Sequence, residues 1–280
     1  MLNRETLKSN RGLVSMVRAA RRINARATGK FQFNFDLAEK MKLYSPDGIA
    51  SPLLRGKIAV TAAEQTMPLL AELVPDPLPV WPIEAACKEN FYTNILAQVF
   101  TSYGSDKSTN HNYEYLYADL LHELRHAPLN VLEIGLGTNN TDVVANMGRG
   151  GSPGASVRAF RDFLPQAMIY GADIDGRILF EEHHIKTFQV DQTDSDAMEL
   201  LAHKIGRKLH LIIDDGLHCP HANLGTLHFA INHLDRGGTL VIEDIRAESV
   251  PIWQLVAHLL PDWRCRLIEA RDGVLFVASR

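Results

Sequence analysis

The sequence predicts an α/β protein, with a Rossmann-like, doubly wound, mostly parallel seven-stranded sheet and a helical N-terminal appendage. From residue 129 onward, short apolar runs alternate with longer segments of helical character. Such alternation is typical of a parallel sheet that is covered by helices on both faces. Several runs also end in glycine or acidic residues, and ligands bind at the carboxyl ends of the strands in this class of sheet.

The predicted strands are the runs 129–134, 167–172, 187–190, 209–213, 238–242 and 274–277. Helical segments lie between them, for example 194–205, 220–234 and 250–260. Upstream, five prolines between residues 67 and 84 exclude a continuous helix and indicate a boundary. We therefore predict an appendage over residues 1–90, for oligomerisation or acceptor selection, and a ligand-binding domain over residues 91–280.

Residues 1–30 of the appendage hold eight Lys or Arg and one acid, Glu5. Apolar residues recur there at helical spacing (Leu13, Met16, Val17, Ala20, Ile23). Such a basic amphipathic helix could contact an anionic membrane surface or a partner subunit, and it could equally pack on its own domain. A homo-oligomer is one expectation from this segment.

The composition excludes several classes of function. The formal charge of −4 argues against nucleic acid as the main partner, because phosphate-reading domains are clearly basic. Cys87, Cys219 and Cys265 form no C-x-x-C pair, so neither a disulfide framework nor a cysteine zinc site is expected. No apolar signal core or bilayer-length stretch is found, which favours a soluble, cytoplasmic protein without a transmembrane segment.

Three strand ends predict a pocket for a cationic adenosine ligand. Gly135 and Gly137 follow the run 129–134 and allow a tight turn and a close ligand approach. Glu133 before them suits an ammonium group and would repel a pyrophosphate. Asp173 at the next strand end can accept both ribose hydroxyls, and Asp191 at the third can take the adenine amine.

Two further strand ends predict a metal site. Asp215 follows the run 209–213, and Glu243 and Asp244 follow 238–242. Because these strands are expected to be neighbours, the three carboxylates would converge and would need a cation. Oxygen ligands suit Mg²⁺, or Mn²⁺. The ion would lower the pKa of a bound hydroxyl, and His218 has a suitable intrinsic pKa to take its proton.

Over roughly residues 100–280 the chain resembles the class I S-adenosylmethionine-dependent methyltransferases. The E-x-G-x-G loop and the aspartates at two strand tips carry that resemblance. It implies that Glu133 to Gly137 bind the methionine end, Asp173 the ribose, and Asp191 and Gln192 the adenine. Two further segments, Tyr103-Gly104-Ser105-Asp106-Lys107 with His111-Asn112-Tyr113 and the stretch 154–158, resemble one subgroup, in which Ser156 would be another cofactor contact.

The D-x-x-H motif and the E-D pair resemble the metal-dependent O-methyltransferases of macrolide sugars, of the mycinamicin and macrocin type. The resemblance implies that Asp215, Glu243 and Asp244 bind magnesium and that His218 is the catalytic base. The expected activity is Mg²⁺-assisted O-methylation of a hydroxyl, on a sugar of a natural product or of a surface glycan. A small-molecule or glycoside acceptor is the expected partner.

Other interpretations stay open at this point. A catechol-type methyltransferase acting on a small aromatic diol would use a similar metal, and a non-catalytic assembly protein could keep the same core. An NAD-dependent dehydrogenase is opposed by Glu133 and by Asn140 at the third glycine position of its fingerprint. Asp214 and Asp215 could instead cap the following helix. Tyr113, Tyr115 and Tyr117 could line a sugar pocket or pack against the domain.

Overall fold

The computed structural model describes residue 69 and residues 72–280. The basic helix predicted for residues 1–30 and most of the predicted appendage therefore lie outside the described residues. Within them, no helix is both long enough and apolar enough to cross a membrane. Numbered along the described chain, the elements are β1 (Val80–Pro82), α1 (Ile83–Ala86), α2 (Phe91–Tyr103), α3 (Glu114–Leu121), β2 (Asn130–Ile134), α4 (Ala155–Phe163), β3 (Met168–Asp173), β4 (Glu181–Glu182), β5 (Ile185–Gln189), α5 (Ser195–Ile205), β6 (Leu209–Asp214), α6 (Pro220–His233), β7 (Leu234–Ile245), α7 (Val250–His258), β8 (Arg264–Ala270) and β9 (Gly273–Ser279).

The strands form one sheet in the order β1-β8-β9-β7-β6-β2-β3-β5-β4. All neighbours are parallel except that β9 runs against β7 and β8, and β4 runs against β5. The predicted mostly parallel, doubly wound sheet is confirmed. Within the described part of the chain the sheet has nine strands, because the short β1 and β4 extend the seven longer strands at the two edges. Residues 80–82 thus pair with the sheet, while the division at residue 90 stays a prediction.

Helices cover both faces of the sheet, and each face has its own hydrophobic core. Val131 in β2 packs in the core that includes α2, α3 and α4, whereas the next residue, Leu132, packs in the core that includes α5, α6 and α7. This alternation follows from the two-residue period of a strand. Both residues are fully buried, as expected for a parallel sheet enclosed between two helical layers.

The point where the strand order changes direction lies between β2 and β6. From β2 the chain proceeds to β3 and β5 on one side, and it then returns to β6 and β7 on the other. In open α/β sheets the crevice beyond the carboxyl ends of the strands at such a point is the ligand site. The loops after β2, β3, β5, β6 and β7 therefore surround one candidate site.

Candidate cofactor and metal site

A cleft of about 860 Å³ opens at this switch point. Its volume falls within the range of roughly 300–1,000 Å³ that is usual for small-molecule sites. The loops after β2, β3, β5 and β6 and the carboxyl end of β7 all contribute to its wall. The residues that line it include Gly135, Gly137, Met147, Asp173, Asp175, Asp191, Gln192, Asp215, His218 and Asp244.

The glycine loop after β2 is held tightly against the loop after β6. Gly135 has φ +95°, and a Cβ atom added there would lie 2.0 Å from the backbone oxygen of Asp215. The Asp215 amide in turn donates to the Ile134 carbonyl at 2.8 Å. Gly135 therefore provides both the left-handed turn and the close approach of the two backbones, which no other residue type permits.

The acidic side chains after β3 organise the loop that follows β2. Asp173 accepts the Leu136 amide and the Asp175 amide, each at 2.8 Å. Asp175, which sequence reasoning did not single out, accepts from the side chains of Thr138 and Asn140 at 2.7 Å. Burial raises the pKa of Asp173, against the effect of its backbone donors. The hydrogen bond from Arg177 is the largest cause of a lowered pKa at Asp175, so that side chain is ionised at neutral pH.

The two residues after β5 have different surroundings. Asp191 is exposed and accepts from the Thr193 amide and hydroxyl within its own turn. The Gln192 amide is almost fully buried: its nitrogen donates to Asp214 at 2.7 Å, and its oxygen accepts the Leu217 amide at 3.1 Å. Asp191 thus presents a carboxylate to the cleft, whereas the Gln192 side chain links the loops after β5 and β6.

Glu133 and Ser156 lie behind the cleft and do not line it. Glu133 is fully buried in β2, and its carboxylate accepts the Ser156 hydroxyl at 2.7 Å. Its other oxygen lies 3.2 Å from the Lys107 ammonium. The ammonium partner of Glu133 is therefore Lys107 of the protein itself, and not the ligand ammonium that was expected from the sequence.

Asp215, His218 and Asp244 meet in the wall of the same cleft. One potential ligand atom from each lies within 4.8 Å of the others. The His218 Nε2 atom is 3.9 Å from Asp215 Oδ1, and its Nδ1 atom is 3.8 Å from Asp244 Oδ2. His218 Nδ1 is buried and has no hydrogen-bond partner among the described residues. Two carboxylates and an imidazole in this arrangement offer ligands for a divalent cation.

The backbone at this cluster is in an unusual conformation. His218 has φ +51° and Asp244 has φ +55°. Non-glycine residues in the left-handed region cost free energy and are concentrated at functional sites. Two of the five such residues in the described part of the chain therefore belong to the cluster of Asp215, His218 and Asp244.

Glu243, the third predicted metal ligand, points to the interior. Its carboxylate is 1% exposed and accepts from the Lys107 ammonium and the Tyr117 hydroxyl. Burial raises the pKa of Glu243, and the charge of Lys107 opposes that shift. Burial also disfavours the charged form of Lys107, but Asp215, Glu243 and Glu133 together raise its pKa well above the usual range. The ammonium therefore stays charged inside the protein.

The alternative that Asp214 and Asp215 merely cap the following helix is wrong. Helix α6 begins at Pro220 with Cys219 at its N-cap and no side-chain cap bond. Asp214 is fully buried and accepts from the side chains of Gln192 and Asn223. Asp214 therefore joins loops within the core, and Asp215 alone of the pair faces the cleft.

The described part has the fold of the class I S-adenosylmethionine-dependent methyltransferases, and the resemblance inferred from sequence is confirmed. The MycE methyltransferase of the mycinamycin biosynthetic pathway, solved in complex with Mg and SAH, superimposes with a TM-score of 0.54 and 23% identity, over 66% of this chain and 54% of that one. A second form of that enzyme, in complex with Mg, SAH and mycinamycin VI, gives a TM-score of 0.54 and 22% identity, over 66% of this chain and 53% of that one. No protein-family model matches the chain.

Sequence comparison finds relatives of the same kind. The chain is 28% identical over 182 residues to the 8-demethyl-8-alpha-L-rhamnosyl tetracenomycin-C 2'-O-methyltransferase of Streptomyces olivaceus. The matched region covers 64% of this chain and 46% of that relative. It is 33% identical over 124 residues to the mycinamicin VI 2''-O-methyltransferase of Micromonospora griseorubida, covering 44% of this chain and 29% of the relative. The chain thus spans less than half the length of the curated relatives it matches.

Proposed function

We propose that the chain is an S-adenosylmethionine-dependent O-methyltransferase that methylates a sugar hydroxyl of a glycosylated natural product with help from a divalent cation. The observation that carries the proposal is one cleft that joins the glycine loop after β2 to the cluster of Asp215, His218 and Asp244. A methyl donor and a metal-bound acceptor would thereby occupy adjoining parts of one cavity. Proximity of this kind can itself contribute several kcal/mol to a bimolecular transfer.

We propose that the donor lies along the ends of β2, β3 and β5. Gly135 and Gly137 would allow its methionine end to approach the backbone, Asp173 and Asp175 lie where the ribose would be expected, and Asp191 would face the adenine. Glu133, Ser156 and Gln192 would act indirectly, by fixing the loops that form the cleft. The positions of these side chains in the cleft wall or behind it support this division.

We propose Mg²⁺, or Mn²⁺, as the ion. The residues fit it, because two partly exposed carboxylates, those of Asp215 and Asp244, face each other across His218 in the wall of the cleft. Asp215 and Asp244 would hold the ion. Glu243 remains a predicted ligand, although its carboxylate would first have to leave Lys107 and Tyr117 to reach the cleft.

The chemistry follows from these positions. When bound, the ion lowers the pKa of an acceptor hydroxyl. His218 takes the proton from that oxygen, and Asp215 and Asp244 on either side stabilise the imidazolium that results. The oxygen then forms its bond to the methyl carbon while the bond from that carbon to sulfur breaks, which leaves S-adenosylhomocysteine as the second product. The names of the relatives support this acceptor class: two are O-methyltransferases of rhamnosyl tetracenomycin-C, and two are O-methyltransferases named for mycinamicin VI and demethylmacrocin.

The metal part of this proposal is tested with Asp215→Asn. We expect the variant to lose at least about 100-fold in methyl transfer, because removal of an ion ligand removes the activation of the acceptor. Transfer by the unaltered chain should stop when a chelator is added. Transfer would be measured with a radiolabelled methyl donor, with rhamnosyl glycosides and with catechols as acceptors.

Asp235→Asn is the matched control, because Asp235 is a partly exposed acid of β7 outside the cleft. Its transfer rate should equal that of the unaltered chain. Full activity of Asp215→Asn, or activity unaffected by the chelator, would contradict a role for the ion. Methylation of catechols in preference to glycosides would instead assign the chain to the catechol-type class.

A further inference from the structure

The segment between α2 and α3 runs directly behind the candidate metal site. It leaves α2 through Gly104, which is left-handed at φ +75°, and it contains Lys107, His111 and Tyr113. The Tyr113 amide donates to the Lys107 carbonyl at 2.9 Å, and the His111 and Tyr113 rings stack with centroids 4.6 Å apart. These contacts within the segment hold its side chains in fixed positions.

Lys107 is the only lysine or arginine among the described residues that is fully buried. Its ammonium donates to Asp215 Oδ2 at 2.7 Å, and it also contacts Glu243 and Glu133. A buried ammonium is stable only when it is paired in this way. Because Glu243 and Glu133 are themselves buried on β7 and β2, they fix the ammonium beside Asp215.

Tyr113 holds the second acid of the cluster. Its ring is fully buried, and its hydroxyl donates to Asp244 Oδ1. Each of the two acids is therefore held through one oxygen by a buried donor. The other oxygens, Asp215 Oδ1 and Asp244 Oδ2, are those that face His218, at 3.9 and 3.8 Å from its nitrogens.

We propose that Lys107 and Tyr113 are positioning residues of the metal site, each fixing one oxygen of a ligand carboxylate so that the other faces the ion. This inference rests on the proposed function, since it presupposes an ion at Asp215 and Asp244. Carboxylates that bind metals are commonly oriented by outer hydrogen bonds, and loss of such a partner typically weakens metal binding by about 10–100-fold.

The direction in which removal of Lys107 changes the ion affinity separates a positioning role from a purely electrostatic one. A positive charge close to a cation site repels the cation. If Lys107 acted only through its charge, its removal would tighten ion binding. If it acts by orienting Asp215, its removal releases that carboxylate and weakens ion binding. Tyr113 carries no charge, so its hydroxyl can act on the ion only through Asp244.

The test is a titration of the full chain with Mn²⁺ in the absence of methyl donor. Binding is measured from the electron paramagnetic resonance signal of the free ion. We expect Lys107→Met and Tyr113→Phe each to weaken binding by about 10-fold or more. Circular dichroism would establish that each variant is folded at the temperature of the titration. If Lys107→Met does not fold, Tyr113→Phe alone tests the inference, because this substitution removes one oxygen atom and no charge.

Tyr103→Phe is the matched control. Its hydroxyl also donates to a carboxylate, that of Asp162 at 2.6 Å, but it lies outside the cleft. This variant should bind Mn²⁺ as the unaltered chain does. Unchanged binding in Tyr113→Phe, or tighter binding in Lys107→Met, would overturn the inference while leaving the proposed function intact. No binding by the unaltered chain would overturn the metal part of the proposed function itself, and the inference with it.

Discussion

Replacement of Gly135 by alanine is expected to lower kcat/KM for methyl transfer by at least about 100-fold. The new Cβ would lie 2.0 Å from the Asp215 carbonyl oxygen, which is backbone and cannot rotate away. The left-handed φ of +95° adds a cost of roughly 1–2 kcal/mol for a residue with a Cβ atom. The glycine loop and the Asp215 loop must therefore move apart. Because misplacement by about 1 Å can reduce turnover about 100-fold, we expect at least that loss in kcat/KM.

The control for Gly135→Ala is Gly150→Ala. Gly150 is exposed, its φ lies outside the left-handed region, and an added Cβ would meet nothing within 4 Å. We expect its kcat/KM and its melting temperature to match those of the unaltered chain, while Gly135→Ala melts several degrees lower. Retention of full activity by Gly135→Ala would show that the apposition of the two loops is not needed for the reaction.

Replacement of His218 by asparagine is expected to lower kcat by about 10²–10⁴-fold, the usual contribution of a general base. His218 lies between Asp215 and Asp244 and lines the cleft. Since no donor contact is assigned to it, the dissociation constant for S-adenosylmethionine should change less than about threefold. Single-turnover transfer and titration calorimetry would measure the two quantities separately.

The Mn²⁺ affinity of His218→Asn distinguishes a base from a metal ligand. A base can be removed with little effect on ion binding, whereas loss of a ligand abolishes it. His221→Asn is the control, because His221 is exposed on α6 outside the cleft wall. Loss of Mn²⁺ binding together with activity would assign His218 to the ion and would contradict its role as the base.

The strand ends could be predicted from sequence because buried parallel strands leave a local signal. The runs that became β2, β3 and β6 are largely apolar and are followed by glycine or acid, so the predicted ends of these strands lie within one residue of the observed ones, whereas β7 continues three residues beyond its predicted run. Strand β8 left no such signal, since Arg264 and Arg266 interrupt it and its first half is only partly buried. The short β1 and β4 exist only through pairing with their neighbours at the edges of the sheet.

The partners of the acidic residues could not be predicted, because they depend on tertiary contacts. Glu133 and Glu243 look like ligand-binding residues in sequence, yet both face Lys107, which is 26 and 136 positions away along the chain. The four-residue spacing of Tyr113 and Tyr117 does place both on one helix face. That spacing is the one sequence signal that could have indicated a role shared by the two tyrosines. In the structure Tyr113 contacts Asp244 and Tyr117 contacts Glu243.

The most direct test of the account is titration calorimetry of S-adenosylmethionine into the full chain, with and without Mg²⁺, beside the variant Asp173→Ala. Asp173 lines the cleft and holds the glycine loop through the Leu136 amide. We expect micromolar binding to the unaltered chain and its loss in the variant. Absence of binding to the unaltered chain, with or without the ion, would contradict the assignment of this cleft to the methyl donor and with it the proposed activity.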